Sequence, residues 1–201
     1  MEQKMKIASI DIETTGLATR SEGSLEYDIL SFGCVLDDLV NRQPIKDLPT
    51  FSCYFVQKSY TGDPFALAMH PLIFRRIANR TPGYNYISPQ KFGNIFKRFL
   101  LENGYVARHD RVDISVVGKN FATLDMPFLL EKTDINKHVN MDFRILDPGG
   151  LMLDPLTDSV IPGMPQCLSR AGINKPVTHD ALDDAFDNIR VVRFHYFGET
   201  E

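Results

Sequence analysis

VTHDALDDAFDNIR, residues 177–190, is the stretch to read beside SIDIETTGL, residues 9–17. In the N-terminal stretch an acidic pair, Asp11 and Glu13, stands at i and i+2. In a strand that spacing puts both carboxylates on one face. In the C-terminal stretch His179 precedes Asp184 by five residues, at the start of the last helical pattern. Chemistry that uses two divalent cations gathers carboxylates from remote segments, with a base beside them. The expectation is that these two ends, with Asp125 from the middle of the chain, form one such site.

Working outward from SIDIETTGL, residues 5–12 alternate and are rich in β-formers. Ile7, Ser9 and Asp11 share one face, and Ala8, Ile10 and Ile12 the other. TTG is a turn signal, and residues 18–27 are polar enough for an exposed loop. Strands are expected at 29–36 and 51–56, so three strands precede any convincing helix and suggest an antiparallel meander. Residues 58–85 read as irregular, broken by Gly62, Pro64, Pro71, Pro82 and Gly83, with a short helix near 72–78. The clearest helix begins with Ser88 as N-cap and Pro89 in its first turn and stops at Asn103-Gly104. Phe92, Ile95, Phe96, Phe99 and Leu100 make its core-facing stripe, with Lys91, Lys97 and Arg98 off it. A buried strand at 112–117 follows, then a helix from Asp125 to about residue 131, a weaker strand at 140–146 and a turn at 147–150. A short helix at 165–171 is stopped by Gly172. The last helix, 180–196, buries Leu182, Ala185, Phe186, Ile189 and Val192. This order predicts an α/β protein with a mixed five-stranded sheet, three antiparallel strands first, flanked by helices, in one domain over 1–201.

Composition bounds the function. The 201 residues are 43% hydrophobic and 24% charged, as in an ordinary soluble globule. A net charge of −4 argues against a chain held on nucleic acid by overall positive charge, though not against a local patch. Three widely spaced cysteines with no CxxC suggest reduced, buried thiols rather than a disulfide framework or zinc site. The chain runs almost at once into a strand, so no signal peptide is expected. No apolar run approaches the roughly 20 residues that span a bilayer. A cytoplasmic protein with no membrane partner is the expectation.

Each acidic motif alone has a plainer reading. An isolated DxE is common at strand ends, Asp125 could be a first-turn charge on a helix dipole, and Asp180, Asp183, Asp184 and Asp187 could be a solvated face. Their joint occurrence in order changes this. The sequence resembles the DEDDh 3′–5′ exonuclease family, which includes proofreading exonucleases, ribonuclease T and oligoribonucleases. DIETTGL at 11–17 matches DxExTGL. GKNFATLDMPFL supplies Asn120, Asp125, Phe128 and Leu129 of the second motif. HDALDDA matches HxAxxD with His179, Ala181 and Asp184. Asn120 and Asp125 are five apart, as in the oligoribonuclease branch, where proofreading and ribonuclease T members more often show four.

The resemblance implies a ribonuclease H-like fold and hydrolysis of 3′-terminal phosphodiesters with two cations, Mg²⁺ or Mn²⁺, releasing 5′-mononucleotides. Asp11 would bind both, Glu13 and Asp184 would help hold one, and Asp125 would complete the other. Asp183 is the rival for the fourth ligand. His179 would take the proton of the attacking water, swinging in from the loop before the helix. Thr14 and Thr15 would contact the terminal nucleotide through backbone amides, and Leu17 would pack beside its base. His70 and Asn120 are candidate substrate contacts with structural roles equally open. Arg75, Arg76, Arg80, Lys119 and Arg108 are candidate phosphate attractors. The implied partner is a single-stranded DNA or RNA 3′ end. A polymerase in trans and a second copy of the chain stay open as protein partners. A nonenzymatic adaptor on the same fold is the rival function, which the full set of ligands argues against.

Overall fold

The computed structural model describes residues 5–176 and 178–200. Val177, which opens the C-terminal stretch, lies outside them. Strand β1 (Lys6–Thr14) runs through the middle of the sheet. Its alternation is the one the sequence requires: Ala8, Ile10 and Ile12 enter one hydrophobic cluster and Ile7 another. Strands β2 (Arg20–Ser21) and β3 (Ser24–Leu25) pair as a small hairpin inside the segment expected to be plain loop. Strand β4 (Ile29–Asp38) is antiparallel to β1, and β5 (Thr50–Phe55) antiparallel to β4, giving the meander. Strand β6 (Tyr86–Ile87) is parallel to β5. Strand β7 (Ala107–Arg108) is antiparallel to β8 (Arg111–Val117), which is parallel to β1. Strand β9 (Val139–Met141) is parallel to β8.

The spatial order is β6-β5-β4-β1-β8-β7, with β9 on β8. The sheet is thus mixed, with seven strands rather than five. The two additional ones, β6 and β7, are two residues long and too short to carry a period. The strand expected at 140–146 is ladder-paired only over Val139–Met141 and returns to β8 through a single bridge between Val117 and Leu146.

Seven helices accompany the sheet among the described residues: α1 (Pro64–Met69), α2 (Pro71–Asn79), α3 (Pro89–Glu102), α4 (Asp125–Lys132), α5 (Pro148–Leu151), α6 (Met164–Arg170) and α7 (Ala181–Phe197). Helices α3 and α4 pack Phe92, Phe96, Leu100, Phe128 and Leu129 into the cluster of Ala8, Ile10 and Phe32. Phe32 meets Phe92 and Phe96 edge-on at 4.7 and 5.0 Å between ring centroids, a favoured aromatic geometry. The aromatic stripe is therefore core, and Lys91 and Arg98 are exposed. Ser88 occupies the N-cap position without capping. Its hydroxyl donates to Gln90 Oε1 at 2.6 Å.

Helix α7 covers the opposite face, setting Ala185, Ile189 and Val192 against Ile7, Val35 and Val117. It is buried well beyond one stripe, since α6 adds Cys167 and Leu168 against Val191 on another side. Within that burial, Arg193 grips Asp37 of β4 with two hydrogen bonds, 2.8 Å from Nε and 2.6 Å from Nη2. All three cysteines are free and buried. Among the described residues no helix is long and apolar enough to cross a membrane.

Candidate active site

Strand β8 stops short of β1. Its last partner there is Ser9, opposite Val117, while β1 continues to Thr14. Beyond that point, among the described residues, no strand pairs with this edge of β1. The Ile12 amide donates instead to Asp125 Oδ1 at 3.0 Å, from the first turn of α4. Asp125 is buried in consequence, with 5% of its surface exposed.

Asp11 and Glu13 project to the α7 side of β1, where they meet Asp184. One carboxylate oxygen from each of the three lies within 4.8 Å of the others. Two features bring the first turn of α7 there. Gly33 is the register partner of Asp11 on β4, and a Cβ on it would stand 2.3 Å from the Ala181 backbone. Only a residue without a side chain lets helix and strand approach so closely. Asp180 then caps the helix, its Oδ1 accepting the amides of Leu182 and Asp183 at 3.1 and 3.4 Å. The Ser9 hydroxyl adds a bond to the Ala185 carbonyl at 2.7 Å. Asp183, the rival ligand, is exposed and outside the cluster.

Crowded carboxylates in a buried place cannot all ionise unaided. Burial, then the neighbouring charges of Asp125, Glu13, Asp184 and Asp180, holds the Asp11 carboxyl well above the ordinary range. Burial and the same acidic neighbours lift Glu13 to about 8. Burial lifts Asp125 to about 7 despite the Ile12 amide, which favours its charged form. Asp184 rises to about 6 through burial and Asp187, with Lys175 opposing. Clustered hard oxygen donors under such mutual repulsion are a fitting receptor for a divalent cation.

His70 closes one side of the site. Its Nε2 lies 3.4 Å from Glu13 Oε2, and the residue is 5% exposed. Burial, with a smaller contribution from nearby His179, lowers its pKa. Thr15 explains how so distant a segment arrives here. The Thr15 amide donates to the Asp28 carbonyl at 2.9 Å, its hydroxyl donates to the Thr61 carbonyl, and its own carbonyl accepts from Asp63 at 2.8 Å. The DIETTGL loop and the approach to α1 are thereby tied together. The Thr15 amide, expected to face a nucleotide, is already committed within the chain. Thr14 donates its hydroxyl to the Gly16 carbonyl at 2.7 Å. Leu17 is 68% exposed. His179, exposed and with φ at +49°, immediately precedes the Asp180 cap.

Asn120 is a turn-former: its φ is +56°, its carbonyl accepts from Thr123 and Leu124, and its amide donates to Asp147 at 2.8 Å. Of the basic candidates, Lys119 pairs with Asp147 at 3.4 Å. Arg108 sits on β7, beside the start of β8 and so at the end of the sheet away from the carboxylates. Arg76 reaches the site through Asp180, 3.9 Å away.

No family model matches the chain, and no curated protein is similar to it in sequence. Solved structures are similar in shape. The nuclease domain of 3′hExo, a DEDDh family member bound to rAMP, superposes with a TM-score of 0.62 at 16% identity, over 96% of this chain and 92% of that one. Cell-death related nuclease 4 (CRN-4) gives 0.64 at 14% identity, over 96% and 64%. E. coli Exonuclease I in complex with a 5cy-dT13 oligonucleotide gives 0.54 at 12%, over 98% of this chain but 42% of that one. The chain has the DEDDh exonuclease fold.

Within the DEDDh exonuclease fold of this chain, two features escaped the sequence reading. Helix α1 carries its own signal: Asp63 Oδ1 accepts from Phe65 at 2.9 Å, followed by Pro64 in the first turn. Asp180, treated only as part of an acidic face, is the helix cap and the link to Arg76.

Proposed function

We propose that the protein is a metal-dependent 3′–5′ exonuclease that hydrolyses the terminal phosphodiester of single-stranded nucleic acid and releases 5′-mononucleotides. The observation that carries this reading is the convergence of Asp11, Glu13 and Asp184 at the open end of β1, with Asp125 fixed against the same strand. The fold shared with nucleases, among them a domain bound to rAMP and an enzyme bound to an oligonucleotide, supports it.

Bound Mg²⁺ or Mn²⁺ would lower the pKa of a water and neutralise charge on the phosphate and leaving oxygen. Asp11, Glu13 and Asp184 would hold one cation, and Asp11 with Asp125 the second. Asp125 has its Oδ1 engaged by Ile12, so Oδ2 is the atom left to face a cation or its water. His179 is the base: it is exposed, stands immediately before the Asp180 cap of the helix that carries Asp184, and offers an imidazole nitrogen to accept a proton. Burial favours the uncharged form of His70, whose Nε2, 3.4 Å from Glu13 Oε2, would hold that side chain in place. Leu17 offers an exposed apolar contact to the terminal base.

The test is digestion of matched 5′-labelled DNA and RNA oligomers with Mg²⁺ or Mn²⁺, with chelator and 3′-phosphate controls. Stepwise shortening from the 3′ end, abolished by chelator and by Asp11→Asn in a folded protein, is the expected result. Intact oligomer under every condition, or undiminished cutting by Asp11→Asn, overturns the reading.

A further inference from the structure

Beside the carboxylates, where α7 begins, lies a cleft of about 180 Å³ lined by Ser31, Phe32, Tyr54, Tyr84, Asp180 and Leu182. One wall is unusual. The Arg76 guanidinium stands 4.5 Å from the centre of the Tyr84 ring, donates to the Tyr54 hydroxyl at 2.5 Å and faces Asp180 at 3.9 Å. Tyr54 and Tyr84 are themselves in ring contact at 5.3 Å. Tyr54 is buried, but Tyr84 leaves 40% of its surface open. Arg80, the left-handed residue that ends α2, lies 5.1 Å over Tyr86, and Tyr86 anchors the end of α2 by donating to the Arg76 and Thr81 carbonyls. Arg75 and Arg80 are exposed, and neither has a carboxylate partner among the described residues.

Guanidinium and open aromatic ring in alternation are what a single strand needs, since phosphates pair with arginine and an unpaired base stacks on a ring. The contrast with the rest of the molecule is large. The chain is acidic overall, and the adjoining cluster carries Asp11, Glu13 and Asp184, with the cap Asp180 beside it. Arg76, 3.9 Å from Asp180, brings positive charge to the edge of that cluster.

We propose that Arg76, Arg80 and Tyr84 form a second nucleotide subsite, which stacks an unpaired base upstream of the terminal nucleotide and leads the strand to the carboxylates. This rests on the nuclease reading for its direction, 3′ end inward. It makes the substrate a single strand several nucleotides long, because a paired base has no free face to lay on Tyr84. Arg76 also joins the subsite to the cap of the helix that carries Asp184.

The experiment measures binding of a fluorescein-labelled octathymidylate by anisotropy in Ca²⁺, in competition with thymidine 5′-monophosphate, alongside shortening of the same octamer in Mn²⁺. Tyr84→Ala is expected to weaken octamer binding about tenfold, within the range for loss of one stacked base. Tyr84→Phe, which keeps the ring, restores it. Arg80→Gln is expected to lower the slope of log affinity against log salt by about one counterion. The monophosphate competes equally well in wild type and Tyr84→Ala, because it occupies the terminal position alone. Octamer binding within twofold of wild type for Tyr84→Ala overturns the subsite, as does a wild-type protein that does not bind the octamer. If the octamer is bound through Tyr84 but never shortened, the subsite stands and the nuclease reading falls. If it is shortened by both proteins at the same rate under subsaturating conditions, the reading stands and the subsite falls.

Discussion

Gly33→Ala tests whether the close approach of β4 and α7 builds the site. The added Cβ would lie 2.3 Å from Ala181 C and O and Leu182 N, all backbone atoms, whereas ordinary contacts begin at 3.4 Å. Helix and strand would have to part by about 1 Å at their closest point, with no flexible side chain to absorb the change. Overpacking of this kind costs about 1–3 kcal/mol, and a backbone obstacle puts the cost at the upper end. Asp184 lies one turn along the displaced helix, and Asp11 is the register partner of residue 33. A displacement of about 1 Å at a catalytic constellation can cost about 100-fold in rate. Urea denaturation gives the first quantity, and oligomer shortening at saturating Mn²⁺ under folding conditions gives the second. Gly150→Ala is the control, since a Cβ there meets nothing within 4 Å. A Gly33→Ala protein as stable and as active as wild type would refute the claim that this glycine sets the distance between Asp184 and Asp11.

Three further outcomes follow from the geometry. The metal-free protein should lose stability as pH rises from about 4, the unfolded carboxyl value, through about 8, where Glu13 ionises. The folded carboxyls sit above their unfolded values, so the penalty is absent in acid and complete above the folded pKa. Thermal melts across this range check it, and added Mn²⁺ should reverse the loss at pH 8; a flat profile would contradict the repulsion. His179→Ala should slow cleavage by about 10²–10⁴-fold while leaving the melting temperature within a degree or two, as expected for an exposed side chain. Arg193→Met should destabilise by about 3–5 kcal/mol in denaturant, because it strands the buried Asp37 carboxylate; replacing both partners with apolar residues should recover much of that.

Much of the fold was legible wherever the pattern had room to repeat. Nine residues of β1 and fourteen of α3 carry several periods each, and the faces they predicted are the faces buried. Asp11, Glu13 and Asp184 lie together, and the period-2 face of β1 and the start of α7 were both visible in the sequence. What stayed hidden was decided by contacts between distant segments. Helix α1 is held by Thr15, Asp28 and Thr61, so no local apolar period marks it. Its cap signal, Asp63-Pro64, was present but sat in a stretch crowded with prolines. Asp187, Asn188 and Arg193 are buried because α7 is covered on more than one side: α6 packs over Val191, and Arg193 lies against Asp37 of β4. The Thr15 amide was expected to be available to a nucleotide; its partner, the Asp28 carbonyl, lies thirteen residues on, just before β4, beyond the reach of a motif.

Asp125 does two jobs at once, and this bears on how the chain could decay. Its carboxylate terminates the uncovered edge of β1 as well as facing the acidic cluster. Drift that abandoned cleavage would discard Glu13 or Asp184 freely, yet would retain an oxygen acceptor at position 125 to keep the strand end closed. Among descendants of this sequence, survival of that aspartate alone therefore says little about activity. The pair on the α7 side is the informative one.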